Sequence, residues 1–280
     1  MEASFTASLR GHSRHLIVFL SVCGVGVLMS MGGCAANPES GAGAPKADIV
    51  TESDEPDARR RARIRLELAI GYFEQGQTTV ALDELKQSIS ADPNFAPAYN
   101  LRGLIYMRLN DPGLAEDSFR RALVLNPRDA DVFHNYGWLL CQQSRFGDSY
   151  KAFAQAIAVP LYGGRAKSWM AQGLCQMKAG QAGEAELSFQ RSYELDAGNP
   201  VTGYNLARLL FQRGDLVRSQ FYVRRLNNSD LANSESLWLG IKVERKLDNR
   251  EAVQQLAGQL KKRFAQSREL ASFERSAFDE

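Results

Sequence analysis

A pattern with a step of 34 residues runs through most of this chain of 280 residues and limits what the chain can fold into. Gly103 follows Ala69 at that step, Gly137 follows Gly103, and Phe153 follows Phe119 in the same way. A fixed period of this length is typical of repeat proteins, in which each unit can bury its apolar face only against its neighbours. The period therefore predicts a stack of similar units.

Each unit reads as two helices joined by a turn. Apolar residues recur three or four positions apart, and a Gly, Asn or Ser interrupts the middle of the unit. The step widens to 36 between Gly137 and Gly173, which we attribute to a longer turn at residues 160–165. We expect the small residues to let paired helices approach closely and Phe119 to fill the space between neighbouring pairs. Stacked pairs then form a superhelix with a concave inner surface.

The second unit carries Tyr99, Gly103, Tyr106, Ala115, Phe119, Ala122 and Pro127. This pattern resembles the tetratricopeptide repeat (TPR) consensus, and Trp169 with Gly173 extends the resemblance to the fourth unit. The resemblance covers residues 58–265 and implies an all-α fold, a TPR solenoid in the form of a right-handed superhelix of about six helix-turn-helix repeats. A generic helical bundle is the alternative. The last two repeats are degraded, with Ser219 and Val223 where small and aromatic residues are usual.

The N-terminus has the pattern of a secretory signal. Arg10 and Arg14 precede an uncharged, largely apolar run over residues 16–33. The run ends in Gly-Gly before Cys34, which resembles the bacterial lipobox, although Met31 departs from it. We expect residues 1–33 to be a lipoprotein signal peptide and Cys34 to be the lipidation site. The run is also just long enough to span a bilayer, so an uncleaved transmembrane anchor is the alternative.

Residues 34–57 are rich in Gly, Ala, Pro, Ser and acids, which predicts a flexible tether. Ala35 rather than Asp follows the cysteine, and lipoproteins of Gram-negative bacteria without Asp at that place usually reach the outer membrane. The resemblance thus implies a lipid-anchored protein that faces the periplasm. We expect residues 266–280 to form a C-terminal tail.

The composition argues against several classes of function. A formal net charge of +2 leaves no footprint for nucleic acid. Of three histidines, only His134 lies outside the targeting segment, and it has no spaced Cys or His partner for zinc. Basic residues at 59–63 read as a solvated first helical turn, with membrane headgroups as the alternative. We expect no enzyme activity, cofactor, metal or small-molecule substrate.

Three longer strings refine the resemblance: residues 134–141, 167–175 and 237–247. Together with the lipobox and the number of repeats, they resemble the type IV pilus biogenesis and stability lipoproteins of the PilF/PilW kind. The resemblance implies a pilotin, an outer-membrane lipoprotein that binds the pilus secretin and assists its localisation and assembly. The alternatives are a TPR adaptor in outer-membrane protein insertion or peptidoglycan synthesis and, from another class, a periplasmic hydrolase that would need acidic pairs in the groove.

The client is expected to bind along the inward faces of the first helices. The predicted groove residues are Phe73, Asn100, Leu104, Met107, Asn135, Trp138, Leu174, Met177, Tyr204, Arg208 and Phe211. The alternative is that several of them are simply core, because aromatic and Met side chains at helical spacing often serve packing alone.

Paired cysteines in the pilus lipoproteins imply a disulfide between Cys141 and Cys175 here. Measured from Gly137 and Gly173, the two cysteines lie two positions apart in register, on nearly opposite sides of their helices. Helix geometry permits this pairing across a contact between successive repeats. Two free buried thiols are the alternative.

Overall fold

The computed structural model of this chain describes residues 54–278, which form thirteen α-helices and no strand. The first twelve helices are six consecutive pairs, and the two members of each pair contact one another extensively. The helices are α1 Asp57–Glu74, α2 Thr78–Ala91, α3 Ala96–Arg108, α4 Pro112–Leu125, α5 Ala130–Gln142, α6 Phe146–Ala158, α7 Arg165–Lys178, α8 Ala182–Leu195, α9 Pro200–Arg213, α10 Leu216–Asn227, α11 Ser234–Lys246, α12 Arg250–Arg263 and α13 Arg268–Glu274.

Short polar side chains start many of these helices by capping. The carboxylate of Asp111 accepts a hydrogen bond from the backbone N–H of Leu114 at 3.0 Å, and Pro112 occupies the first helical turn. Asn233 forms a reciprocal capping box with Ser236 at the start of α11. Such caps satisfy backbone N–H groups that have no partner inside the helix. Local sequence signals of this kind therefore set the starts of α4, α5 and α9 to α13.

A repeated glycine–phenylalanine contact closes the second, third and fourth repeats. The Phe119 ring is fully buried, and a Cβ atom on Gly103 would lie only 2.5 Å from its Cε1 atom. Phe153 lies against Gly137 and Phe189 against Gly173 in the same way. The two helices of a repeat approach so closely because the first carries no side chain at the contact, as the period predicted.

The last two repeats replace this contact with smaller and more polar groups. Val223 and Leu256 stand where the phenylalanines stand in earlier repeats, and both face Gly240. Nearby, the fully buried Glu244 accepts a hydrogen bond from Arg224 Nη2 at 2.9 Å. Charged hydrogen bonds thus supply part of the contact that aromatic packing supplies elsewhere.

The C-terminal segment is more ordered than the tail expected from residue 266 onward. Residues 268–274 form α13, which packs against α11 and α12. Leu270 is buried, and the rings of Phe273 and Phe278 lie 6.4 and 5.2 Å from that of Trp238. Helix α13 therefore covers apolar surface at the open end of the repeat stack.

The predictions for residues 1–33, for Cys34 and for the tether up to residue 53 concern residues outside the described part of the chain. Within residues 54–278, no helix is both long and apolar enough to cross a bilayer.

Candidate protein-binding groove

The first helices of successive repeats lie side by side and form one face of the stack. Helices α1, α3, α5 and α7 contact each other in succession, and α9 contacts α11. All eleven predicted groove residues lie on α1, α3, α5, α7 or α9, and every one of them is half-buried. Each therefore contributes to packing and still presents part of its side chain to solvent, so the groove and core interpretations overlap.

An apolar pocket opens between α3, α5 and α7. It has a volume of about 250 Å³ and is lined by Leu104, Met107, Trp138, Leu174 and further side chains of these helices. Five aliphatic or thioether side chains and one indole form most of its lining, and Met side chains adapt readily to different apolar partners. We refer to it as the apolar pocket. It suits apolar side chains of an extended or helical client segment.

Two of the polar side chains that line the apolar pocket are already paired with neighbouring side chains. Asn135 Nδ2 donates to Asn100 Oδ1 at 3.0 Å, which links α5 to α3. His134 Nδ1 lies 2.9 Å from Ser168 Oγ. Burial, with a smaller contribution from the charge of the nearby Lys167, lowers the pKa of His134 to about 4. The histidine is therefore neutral at neutral pH and acts as a buried polar wall residue.

A disulfide fixes the wall of the apolar pocket. It joins Cys141 of α5 to Cys175 of α7, with the Cα atoms 5.7 Å apart. Cys175 directly follows Leu174, and Cys141 lies one helical turn after Trp138, so two pocket residues sit beside the covalent link. The ammonium group of Lys178 on α7 also donates to the carbonyl of Cys141 at 3.1 Å. Helices α5 and α7 are thus held together at the pocket.

A second pocket, of about 240 Å³, lies farther along the same face between α9, α11 and α13. Tyr204, Arg208 and Phe211 of α9 line it together with Trp238 and Lys242 of α11. Burial raises the pKa of Tyr204. This pocket is aromatic and charged, whereas the first is mainly apolar, so the two ends of the face differ in chemistry.

The remaining two predicted residues, Phe73 and Met177, contact arginines of the following repeat. The guanidinium of Arg108 lies 4.8 Å from the Phe73 ring centroid, and its Nη1 atom donates to the Phe73 carbonyl at 2.8 Å. Arg208 Nη2 lies 3.4 Å from Met177 Sδ. These two side chains connect neighbouring repeats at the edge of the face.

The structure adds pocket residues that the sequence analysis left out. Met170 lines the apolar pocket, and Trp238 and Lys242 line the second one. Met170 precedes Gly173 by three residues, as Asn100 precedes Gly103, so the repeat register contains the signal for it. Residues of the degraded sixth repeat are harder to place because their consensus positions are altered.

The described residues contain no group of three or more His, Cys, Asp or Glu side chains that could hold a metal ion. Glu186, a buried acid, is paired with Arg213 at 2.7 Å. A buried acid of this kind forms a structural ion pair and is not a free catalytic group.

Comparison with known proteins places this geometry among TPR proteins. Tetratricopeptide repeat families match residues 96–129 and residues 137–200. The type IV pilus assembly protein PilF of Pseudomonas aeruginosa is 27% identical over 209 residues, which span 75% of this chain and 83% of PilF. The chain is a homologue of PilF.

Solved structures agree with that relationship. The structure of Pseudomonas aeruginosa PilF superposes with a TM-score of 0.71 at 25% identity and covers 79% of this chain and 100% of its own. The structure of PilW, described as a widely conserved type IV pilus biogenesis factor, gives a TM-score of 0.66 at 29% identity. The match covers 76% of this chain and 97% of the PilW chain. YrrB, a TPR protein with a peptide-binding site, shares the fold alone at 14% identity and a TM-score of 0.54.

These findings confirm the predicted all-α TPR solenoid and the resemblance to PilF and PilW. The homologues are TPR scaffold or adaptor proteins of pilus biogenesis and not enzymes, in agreement with the sequence analysis.

Proposed function

We propose that this PilF homologue is a pilotin: an outer-membrane lipoprotein that binds the secretin of the type IV pilus and assists its localisation and assembly. The observation that carries the proposal is the half-buried apolar pocket on the first helices of a homologue of a pilus assembly protein. The pocket offers apolar contact with few free polar groups, which suits an apolar client segment. A periplasmic position matches the disulfide beside the pocket, since disulfides persist in oxidising compartments.

The proposal includes a lipid anchor at Cys34 and a tether that gives the groove reach from the membrane. A single acyl chain binds membranes weakly, so stable anchoring requires the multiple chains of a mature lipoprotein. Intact-mass analysis of protein from membranes tests this part. The expected species begins at Cys34 and carries the added mass of the lipid. A mature chain that keeps residues 1–33, or a Cys34→Ser variant that remains in the outer-membrane fraction, contradicts it.

Charge substitutions in the groove test client binding. Leu104→Glu places a carboxylate in the apolar pocket, and Met177→Glu places one at its edge toward α9. Both are expected to abolish secretin multimers in membrane fractions while circular dichroism shows the wild-type helix content. Leu187→Glu is the matched control, because Leu187 is 63% exposed on the second helix α8.

Three outcomes separate the interpretations. Loss of helicity in the groove variants would make these residues core. Intact secretin multimers in well-folded groove variants would contradict the proposal. Capture of outer-membrane insertion or cell-wall synthesis proteins in place of the secretin would favour the alternative adaptor role.

A further inference from the structure

Three cations gather at the C-terminal end of α11 around two aromatic rings. Lys242, Arg245 and Lys246 line a pocket of about 280 Å³ together with Phe211 and Phe278. Lys246 Nζ lies 5.3 Å from the Phe211 ring centroid, and Arg245 Cζ lies 3.7 Å from that of Phe278. We call these five residues the cationic end of the groove.

The charges of the cationic end have no carboxylate partner among the described residues. The ion pairs within 4.0 Å in this part of the chain involve Arg213, Arg224 and Arg250. None of them includes Lys242, Arg245 or Lys246. By contrast, Glu244, which lies on α11 like the three cations, is paired with Arg224 of α10. A carboxylate that accepts from a cation is thus present on one side of α11 and missing on the other.

The helix dipole accounts for only part of this cluster. Arg245 and Lys246 lie in the last turn of α11, where cations are stabilised by roughly 0.3–1 kcal/mol. Lys242 lies one turn earlier and is half-buried between Phe211 and Trp238, at 5.9 and 5.5 Å from their ring centroids. Burial lowers its pKa. A lysine held in a desolvated place without a carboxylate indicates a site suited to an anionic ligand.

The second pocket, which Lys242 also lines, contains two acids. They are Glu235 and Glu269, and the negative charge of each raises the pKa of Tyr204. Beside them, the buried Nε atom of Arg208 has no hydrogen-bond acceptor within the described part of the chain. A ligand that entered along α9 would reach this donor only if the side chains around it moved.

We propose that the cationic end binds an acidic segment of the client chain. Asp or Glu carboxylates of that segment accept hydrogen bonds from Lys242, Arg245 and Lys246, and an adjacent apolar side chain packs against Phe211 and Phe278. The contact between Arg208 and Met177 joins α9 to α7, and in this proposal one extended client lies along the face from the apolar pocket to the cationic end. This inference rests on the proposed function, since it requires that the groove holds a protein chain.

Peptide binding to the full mature chain tests the inference. The probe is a labelled twelve-residue peptide in which Glu alternates with Phe and Leu, and its counterparts carry Gln or Lys in place of Glu. The Glu peptide is expected to bind at least tenfold more tightly than the Gln peptide at low salt. The difference should shrink at high ionic strength, because salt screens charge pairs on partly exposed surfaces.

Two double variants locate the site. Lys242→Gln with Lys246→Gln is expected to remove the preference for the Glu peptide. Lys261→Gln with Lys262→Gln removes the same charge from the exposed end of α12 and is expected to leave the preference intact. Asp279 and Glu280 lie outside the described residues, so the assay is repeated with both changed to amides, and the preference is expected there as well.

Equal affinity for the Glu and Gln peptides overturns the inference, as does an equal loss in both double variants. Binding of phosphatidylglycerol vesicles that is lost in the Lys242/Lys246 variant, without peptide preference, would assign the cluster to the membrane instead. Secretin capture that is insensitive to this variant also overturns the inference and leaves the pilotin role standing. Peptide preference without secretin capture overturns the pilotin role alone.

Discussion

Replacement of Gly103 by Ala tests the contact that holds each repeat closed. In an exposed helix interior, this change stabilises by roughly 1 kcal/mol because Ala has the higher helix propensity. Here the new Cβ atom would lie 2.5, 2.7 and 2.7 Å from three atoms of the Phe119 ring. The ring is fully buried and cannot move aside freely.

The structure sets the order of the effects across the repeats. The shortest distance from the added Cβ to the facing ring is 2.5 Å at Gly103, 2.8 Å at Gly173 and 3.0 Å at Gly137. Overpacking of a buried contact costs roughly 1–3 kcal/mol, and the propensity gain offsets part of it. We expect Gly103→Ala to lower the free energy of unfolding by about 1–2 kcal/mol, Gly173→Ala by less, and Gly137→Ala to be close to neutral.

Gly203 supplies the matched control. It lies inside α9, and a Cβ there would meet no atom within 4 Å, so Gly203→Ala is expected to stabilise by up to about 1 kcal/mol. Urea unfolding followed by circular dichroism measures all four variants. If Gly103→Ala stabilises as much as Gly203→Ala, the glycine–phenylalanine contact does not limit the approach of the helices and the reasoning fails.

Three further predictions concern buried groups. Closing the 34-residue separation between Cys141 and Cys175 stabilises by about 3–4 kcal/mol in the chain-entropy model, so reduction should lower the melting temperature; recovery of both as free thiols in non-reducing peptide mapping would contradict the pairing. Folding lowers the pKa of His134 from 6.5 to about 4, so its contribution to the free energy of unfolding is complete above pH 6.5 and is lost as the pH falls toward 4. The free energy of unfolding of the wild type should therefore fall by about 2 kcal/mol between pH 7 and pH 5, whereas that of His134→Gln should not. Arg224→Ala removes the cation that pairs with the buried carboxylate of Glu244 and leaves it only the amides of Gln220 and Asn249; because Arg224 itself is 47% exposed, unfolding should become easier by only about 1–3 kcal/mol, addition of Glu244→Gln should restore part of this, and no restoration in urea unfolding would contradict the pairing.

The period and local signals of the sequence were enough to predict the repeat architecture. Gly103 and Phe119 recur because every repeat must solve the same packing problem, so one unit predicts the next. The longer turn before α7 also agrees with the structure, where α6 ends at Ala158 and α7 begins at Arg165. Helix α13 was not predicted, since its seven residues are stabilised by Leu270 and by ring contacts to Trp238 rather than by a periodic pattern.

The groove could be predicted as a face but not as two chemically different pockets. Register alone places Leu104 and Leu174 on equivalent sides of their helices. The cationic end instead depends on where α13 brings Phe278, which lies 33 residues after Arg245 and belongs to no repeat. Contacts of this kind arise from tertiary packing, so a motif in one repeat cannot show them.

Affinity capture from envelope extracts tests the central claim most directly. The lipidated wild-type protein, the Leu104→Glu variant and the Leu187→Glu control would be purified side by side, and the co-purified proteins identified by mass spectrometry. We predict that the pilus secretin co-purifies with wild type and with Leu187→Glu but not with Leu104→Glu. Absence of the secretin from the wild-type sample, or equal capture by all three proteins, would contradict the assignment of the groove as a secretin-binding site.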